Sequence, residues 1–324
     1  MKALRVHHYD SSDAIRLDEV AIPEPGDGEV RIRIEASGIS FVDMLIARGG
    51  YQVRLTPPFV PGSEFSGIVD AIGPSVAPGL KVGDRVCGTG SAVWAQYVCL
   101  PASHLHPIPG NASMPEAAVL TVSFGTALYG LRERGELVTE ETLLVLGAAG
   151  GVGYAAVQVG KALGARVIAV ASTAQKRFAL LAAGADEVVD GAGDWKDAVK
   201  SLSGRSGVDV VFDPVGNDAT DAAFRTLGWG GRHLMVGFAG GDVPLLKSNL
   251  AIVKGASLVG VDYRQFGERD PGRRFDLERE VLEMWSDGKV KPLVTHTIPL
   301  HRFDAALEHA QSRSTVGRVV FTAE

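Results

Sequence analysis

The chain has 324 residues, a length that suits two domains, and its 46% hydrophobic and 22% charged residues are the balance of a globular protein. A formal net charge of -6 with no long basic run offers nothing to nucleic acid, and every apolar stretch meets a glycine or a charge before it could span a membrane. Two cysteines, Cys87 and Cys99, cannot make a disulfide framework or a four-thiolate zinc lobe and read as buried free thiols. Met1 to Asp10 lacks an apolar core of signal-peptide length, so a reducing, cytoplasmic setting is expected.

Residues 1 to about 120 read as β-rich. Val30-Arg31-Ile32-Arg33-Ile34 alternates apolar and polar, as a half-buried strand does. Pro23 to Gly28 and Pro74 to Gly79 punctuate the strands, and Gly83-Asp84-Arg85-Val86 is a turn feeding another. After Pro115 the texture changes. Glu116 to Leu131 predicts one helix, and strands and helices then alternate: strand Thr142 to Leu146, helix Val152 to Leu163, strand Arg166 to Ala171, helix Gln175 to Ala183, strand Glu187 to Val189, helix Trp195 to Leu202. Strand Val208 to Phe212, helix Ala219 to Leu227 and strand His233 to Val236 continue the pattern, and Ser257 to Val261 adds a strand at an edge. Apolar strands separated by single helices indicate a parallel sheet covered on both faces. Helices at Arg273 to Ser286 and Phe303 to Gln311 and a strand at Arg318 to Phe321 complete the chain.

The strongest local signal is Leu143-Leu144-Val145-Leu146-Gly147-Ala148-Ala149-Gly150-Gly151-Val152-Gly153: an apolar strand, a glycine-rich turn and a helix start. Such a turn lets a pyrophosphate approach the backbone at Gly150, Gly151 and Val152 and meet the N–H groups of the helix N-terminus. Aligned on the helix, the fingerprint is Ala148-x-Gly150-x-x-Gly153, with Ala in place of its first glycine. An NAD site usually closes the next strand with Asp or Glu on the ribose 2′-hydroxyl. Here the strand ends Val170-Ala171-Ser172-Thr173, followed by Lys176 and Arg177. A hydroxyl at Ser172 and cations at Lys176 and Arg177 suit a 2′-phosphate, so NADP(H) is the expected cofactor.

With these motifs, together with Pro61-Gly62-Ser63-Glu64-Phe65-Ser66-Gly67 and Asp213-Pro214-Val215-Gly216, the chain resembles the medium-chain dehydrogenases/reductases, and within them the zinc-free quinone oxidoreductase branch. The resemblance runs over essentially the whole chain. It implies a Rossmann doubly wound domain over 123–258 and a β-rich, GroES-like (chaperonin-10-like) catalytic domain built from 1–122 and 259–324. Zinc-dependent relatives carry Cys in the segment matching Ser37-Gly38-Ile39-Ser40 and His at the position of Ser63, so no metal is expected. His104-x-His106 lacks a third ligand in spacing and reads as surface. Similar quinone reductases place an Asn and a Tyr where this chain has Ser40 and Leu45. Ser40 and Tyr51 are the candidate catalytic residues, although Tyr51 reads equally as packing on Pro57 and Pro58. Thr126, Phe238 and Arg318 match family positions along the cofactor cleft, and Leu45, Tyr51, Trp94, Tyr263 and Phe266 are candidates for shaping the substrate pocket. The expected activity is NADPH-dependent reduction of a quinone or other α,β-unsaturated carbonyl. An enoyl-thioester reductase and a non-enzymatic NADPH-binding protein are the alternatives. The expected partner is a small carbonyl substrate, and the apolar edge strand at Ser257 to Val261 points to a homodimer through the Rossmann sheet.

Overall fold

The computed structural model describes residues 1–9 and 14–323; Asp10, the last residue of the N-terminal stretch read above, lies outside them. The chain divides into two compact units, Met1–Val122 with Pro292–Glu324, and Ser123–Lys291.

The first unit opens with an antiparallel pair, β1 (Lys2–Val6) and β2 (Ile15–Glu19). β3 (Glu29–Gly38) follows, then α1 (Phe41–Ala47), β4 (Glu64–Ile72), β5 (Arg85–Thr89), β6 (Tyr97–Pro101), β7 (Leu105–Pro107) and α2 (Met114–Ala117). Along β3 the residues Val30, Ile32 and Ile34 are buried while Arg31 and Arg33 are not, which is the period-two pattern read from the sequence. β3 lies inside a seven-stranded sheet, and its inward face joins a core with Leu4, Phe65, Trp94 and Phe321. Trp94 is fully buried there, edge-on to Phe321 at 5.3 Å, and its indole N–H donates to the Gly38 carbonyl at 3.1 Å. It fills the core and does not line a substrate pocket. Its ring also explains Gly62, where φ is +99° and a Cβ would come within 2.4 Å of Trp94 Cδ1. His106, read as surface, is buried, because β7 is covered on the side that carries it and pairs it with buried Cys87. His104 belongs to the short turn before β7, so strand alternation does not relate the two. Neither cysteine forms a disulfide; Cys87 is buried and Cys99 half-buried.

The second unit carries the alternating pattern. After α3 (Thr121–Leu128) come β8 (Thr142–Val145), α4 (Gly151–Ala162), β9 (Arg166–Ala171), α5 (Ala174–Ala182), β10 (Glu187–Asp190), α6 (Trp195–Ser203), β11 (Val208–Asp213), α7 (Asn217–Phe224), β12 (Leu227–Met235), α8 (Asn249–Lys254), β13 (Ser257–Gly260), α9 (Tyr263–Arg269) and α10 (Pro271–Ser286). The strands are all parallel in the order β10-β9-β8-β11-β12-β13, the doubly wound arrangement of a Rossmann fold. The core strands are buried on both faces, hence their unbroken apolar runs. The chain then returns to the first unit through β14 (Val294–Pro299), α11 (Phe303–Gln311) and β15 (Arg318–Thr322).

Two expectations change. The single helix over Glu116 to Leu131 is broken: Ser113 caps α2, residues 118–120 turn, and α3 leads into a π-helical run at Tyr129–Arg134. Gly130 lets that run sit against the Phe212 ring, where a Cβ would lie 3.1 Å away. The second boundary between units falls after Lys291 and not after residue 258. β13 is in register with β12, and Tyr263, Leu277 and Val281 of the next two helices are buried within the second unit.

Candidate functional site

At the carboxyl ends of β8, β9 and β11, where the strand order reverses, the second unit has a crevice of ≈ 270 Å³. Open parallel sheets place ligands at this position. One wall is the glycine turn. Gly147 has a φ of +52°, and Gly150 is the N-cap of α4, with no side chain to accept from the first-turn N–H groups. At Gly153 a Cβ would come within 2.4 Å of the Gly147 carbonyl oxygen, so the helix packs on its own turn only with glycine there. The uncapped start of a twelve-residue helix, with its partial positive charge, suits a pyrophosphate.

The opposite wall is the end of β9. Val170, Ala171, Ser172 and Lys176 line the crevice, and no carboxylate does. Thr173 caps α5 by accepting from Lys176 N–H at 3.3 Å, and burial draws the Lys176 ammonium below the usual lysine range. Arg177 faces elsewhere: its guanidinium donates to the Ala171 carbonyl at 3.3 Å and pairs with Asp190 at 3.0 Å. Gly191, Trp195, Val215 and Ala219 also line the crevice. Sequence reading did not find these four, because they come from two further βα connections, β10 to α6 and β11 to α7, that only the sheet order brings to the glycine turn.

Beneath Val215 lies a buried polar knot. The Asp213 carboxylate accepts from Val215 N–H and Gly216 N–H, both at 2.9 Å, from the Thr220 hydroxyl at 2.7 Å and from His233 Nε2 at 3.0 Å. Burial alone would raise this carboxyl, but the His233 hydrogen bond and charge, with the Gly216 and Thr220 donors, hold it below the usual range. Gly216 has a φ of +71°, and a Cβ there would meet the Phe238 ring at 3.0 Å, so half-exposed Phe238 leans on this turn. Thr126 is half-buried in α3 and does not line the crevice.

Ser40, Tyr51 and Arg318 belong to the first unit. Ser40 caps α1, accepting from Asp43 N–H at 3.0 Å while its own N–H donates to the Asp43 carboxyl at 2.9 Å. Tyr51 is half-buried. Arg318 is buried, and its guanidinium bonds Glu64, whose other oxygen accepts from Val122 N–H at 3.2 Å. Burial raises both Asp43 and Glu64; hydrogen bonds from Ser40 and Ser63 oppose this at Asp43, and Arg318 opposes it at Glu64. This cluster does not fit a zinc ion. Ser40 and Ser63 offer hydroxyls already committed to Asp43, and an arginine cation holds Glu64. Among the described residues, no group of three or more His, Cys, Asp or Glu side chains could hold a metal.

A parallel Rossmann unit and a β-rich unit assembled from both chain ends together define a two-domain dehydrogenase/reductase architecture. Family models agree: residues 26–110 match the alcohol dehydrogenase GroES-like domain, and residues 151–275 match a model described as zinc-binding dehydrogenase. A quinone oxidoreductase-like protein 2 from Rattus norvegicus is 35% identical over 311 residues, covering 95% of this chain and 89% of that protein. The crystal structure of Escherichia coli quinone oxidoreductase complexed with NADPH superposes with a TM-score of 0.91 at 27% identity, covering 99% of this chain and 100% of the other. A mycobacterial protein complexed with NADPH gives a TM-score of 0.91 at 31% identity with the same coverage. The chain belongs to the medium-chain dehydrogenase/reductase superfamily, in its quinone oxidoreductase branch, and is an oxidoreductase.

Proposed function

We propose that this protein is an NADPH-dependent reductase of quinones or other α,β-unsaturated carbonyl compounds that works without a metal. The observation that carries the reading is the crevice wall at the end of β9, where Ser172 and Lys176 stand and no carboxylate does. NADPH, when bound, supplies the hydride. In this reading Gly150, Gly151 and Val152 present backbone N–H groups to the pyrophosphate. Ser172 and Lys176 hold the 2′-phosphate, and Arg177, pinned by Asp190, adds charge from behind. On the second unit Thr126 and Phe238 are assigned to the nicotinamide side; on the first unit Tyr51 is assigned a polar contact to the substrate, while Ser40 and Arg318, engaged with Asp43 and Glu64, brace the polar cluster that carries them. Quinone and enone carbonyls are already electrophilic, so positioning suffices and the proton comes from water or a hydroxyl. The E. coli and mycobacterial neighbours, each described with NADPH, support the cofactor, and the rat relative supports the substrate class.

The test is steady-state oxidation of NADPH against a panel of quinones, enones and enoyl thioesters. Turnover is expected with quinones or enones, unaffected by a chelator. No turnover with any acceptor would overturn the enzymatic reading, and a requirement for one tightly held zinc would overturn the metal-free one. Tyr51→Phe is expected to change turnover less than tenfold. A loss of ~10²-fold or more at unchanged cofactor affinity would make Tyr51 the proton donor.

A further inference from the structure

The second unit has another cavity, of ≈ 380 Å³, at the opposite ends of the strands from the crevice. It lies where β11 and β12 begin and where α6 and α7 end. Lys200, Arg205, Arg225 and Lys254 line it, together with the indole of Trp229, which is 83% exposed. Its floor is bare backbone: a Cβ on Gly207 would come within 2.6 Å of Gly228 N, and one on Gly228 within 2.0 Å of Ser206 O. Gly204, at a φ of +62°, leaves open space beside it.

The cations outnumber what their surroundings neutralise. Arg225 is paired with Asp221 at 2.6 Å and Lys200 with Asp197 at 3.3 Å. Lys254 donates to the Leu227 carbonyl. The ends of α6, α7 and α8, the last contributing Val253 and Lys254 to the lining, add about half a negative charge each. Two carboxylates and three helix ends therefore balance about three and a half of the four cations. Burial first, and then the nearby Lys200 and Arg225 charges, draw the Lys254 ammonium below the usual lysine range. No lining residue belongs to β13.

We infer that this pocket binds a phosphate-bearing ligand with a planar ring, in chemical class a nucleoside diphosphate. The phosphates meet Lys200, Arg205, Arg225 and Lys254 over the glycine floor, and the ring stacks on Trp229. Catalysis at the crevice does not require this site, and its ligand is separate from the cofactor.

Calorimetric titration with inorganic pyrophosphate and with adenosine diphosphate tests this. Both are expected to bind saturably in low salt, the diphosphate nucleoside about fivefold or more tightly, and Trp229→Ala is expected to remove that difference. Arg205→Ala, a change at an exposed side chain that leaves the fold intact, and Lys254→Met are each expected to weaken both ligands about tenfold, with NADPH affinity unchanged. Equal affinity for the two ligands would overturn the stacking role of Trp229. Absence of saturable binding would overturn the site. So would binding that falls with Lys176→Ala and not with Arg205→Ala or Lys254→Met, because the anion would then be in the crevice.

Discussion

Asp213 is fully buried yet held in its charged form by four hydrogen bonds, and the turn it secures lines the crevice through Val215. Asparagine would place an amide N–H₂ where donors already point. Asp213→Asn is therefore expected to cost about 2–4 kcal/mol at neutral pH and to weaken cofactor binding. The pH dependence has a definite sign. A carboxyl whose folded-state pKa is depressed contributes stability above its unfolded pKa, near ~4, and loses that contribution as pH falls through the folded value. The gap between wild type and variant should narrow on acidification below about pH 4, as read by denaturant unfolding across a pH series. A gap independent of pH would show that the ionised form is not what stabilises the turn. Lys176 gives the second prediction at this scale. Lys176→Ala is expected to weaken NADPH by about 10–100-fold and leave NADH nearly unchanged, since one charge-assisted contact to the 2′-phosphate is lost. Equal losses for the two cofactors would show that Lys176 does not read that phosphate.

The strand–turn–helix from β8 to α4 was readable from its residues because each constraint in it is local. Gly153 faces the Gly147 carbonyl six residues before it, and both lie within eight residues of the end of β8, whose apolar run announces a strand buried on both faces. The same locality makes a prediction. A methyl at Gly153 meets backbone at 2.4 Å and 2.8 Å, and no flexible side chain can give way. Gly153→Ala should cost about 1–3 kcal/mol by lifting α4 off its turn. Unlike Lys176→Ala, it should weaken NADPH and NADH alike, because both carry the pyrophosphate. Wild-type stability and binding in this variant would show that the turn adjusts freely. What sequence could not reveal depends on distant partners. The break between α2 and α3 follows Ser113 and the Glu64 carboxylate, which accepts from Val122 N–H across 58 residues. The second helical cation, Arg177, looked equivalent to Lys176 until Asp190 at the end of a neighbouring strand claimed it. His106 looked like surface because nothing in a three-residue strand signals that its sheet is covered.

For the whole molecule, strand order was foreseeable where helices alternate with strands, and this is why Ser257 to Val261 was expected at a sheet edge. β13 does end the six-stranded sheet, bonded to β12 on one side. The domain boundary was misplaced at the same point, because the chain after an edge strand gives no local sign of which core it will join. The edge carries the argument for assembly. β13 is mostly exposed, with Leu258 51% accessible, and the neighbouring helix α8 exposes Ile252 and Val253. A strand edge presents unpaired N–H and C=O groups, and apolar side chains around it make pairing with another chain favourable. The stretch after β13, Tyr263–Arg269, forms α9, capped by Asp262. We therefore propose a homodimer in which the β13 strands of two copies pair about a two-fold axis. Light scattering at micromolar concentration should report twice the 34.1 kDa chain mass. Leu258→Lys places a charge on the edge while leaving the buried side chains of the sheet in place, and should shift the protein to a folded monomer with its circular dichroism unchanged. A monomeric wild type, or a variant that stays dimeric, would place the interface elsewhere or remove it.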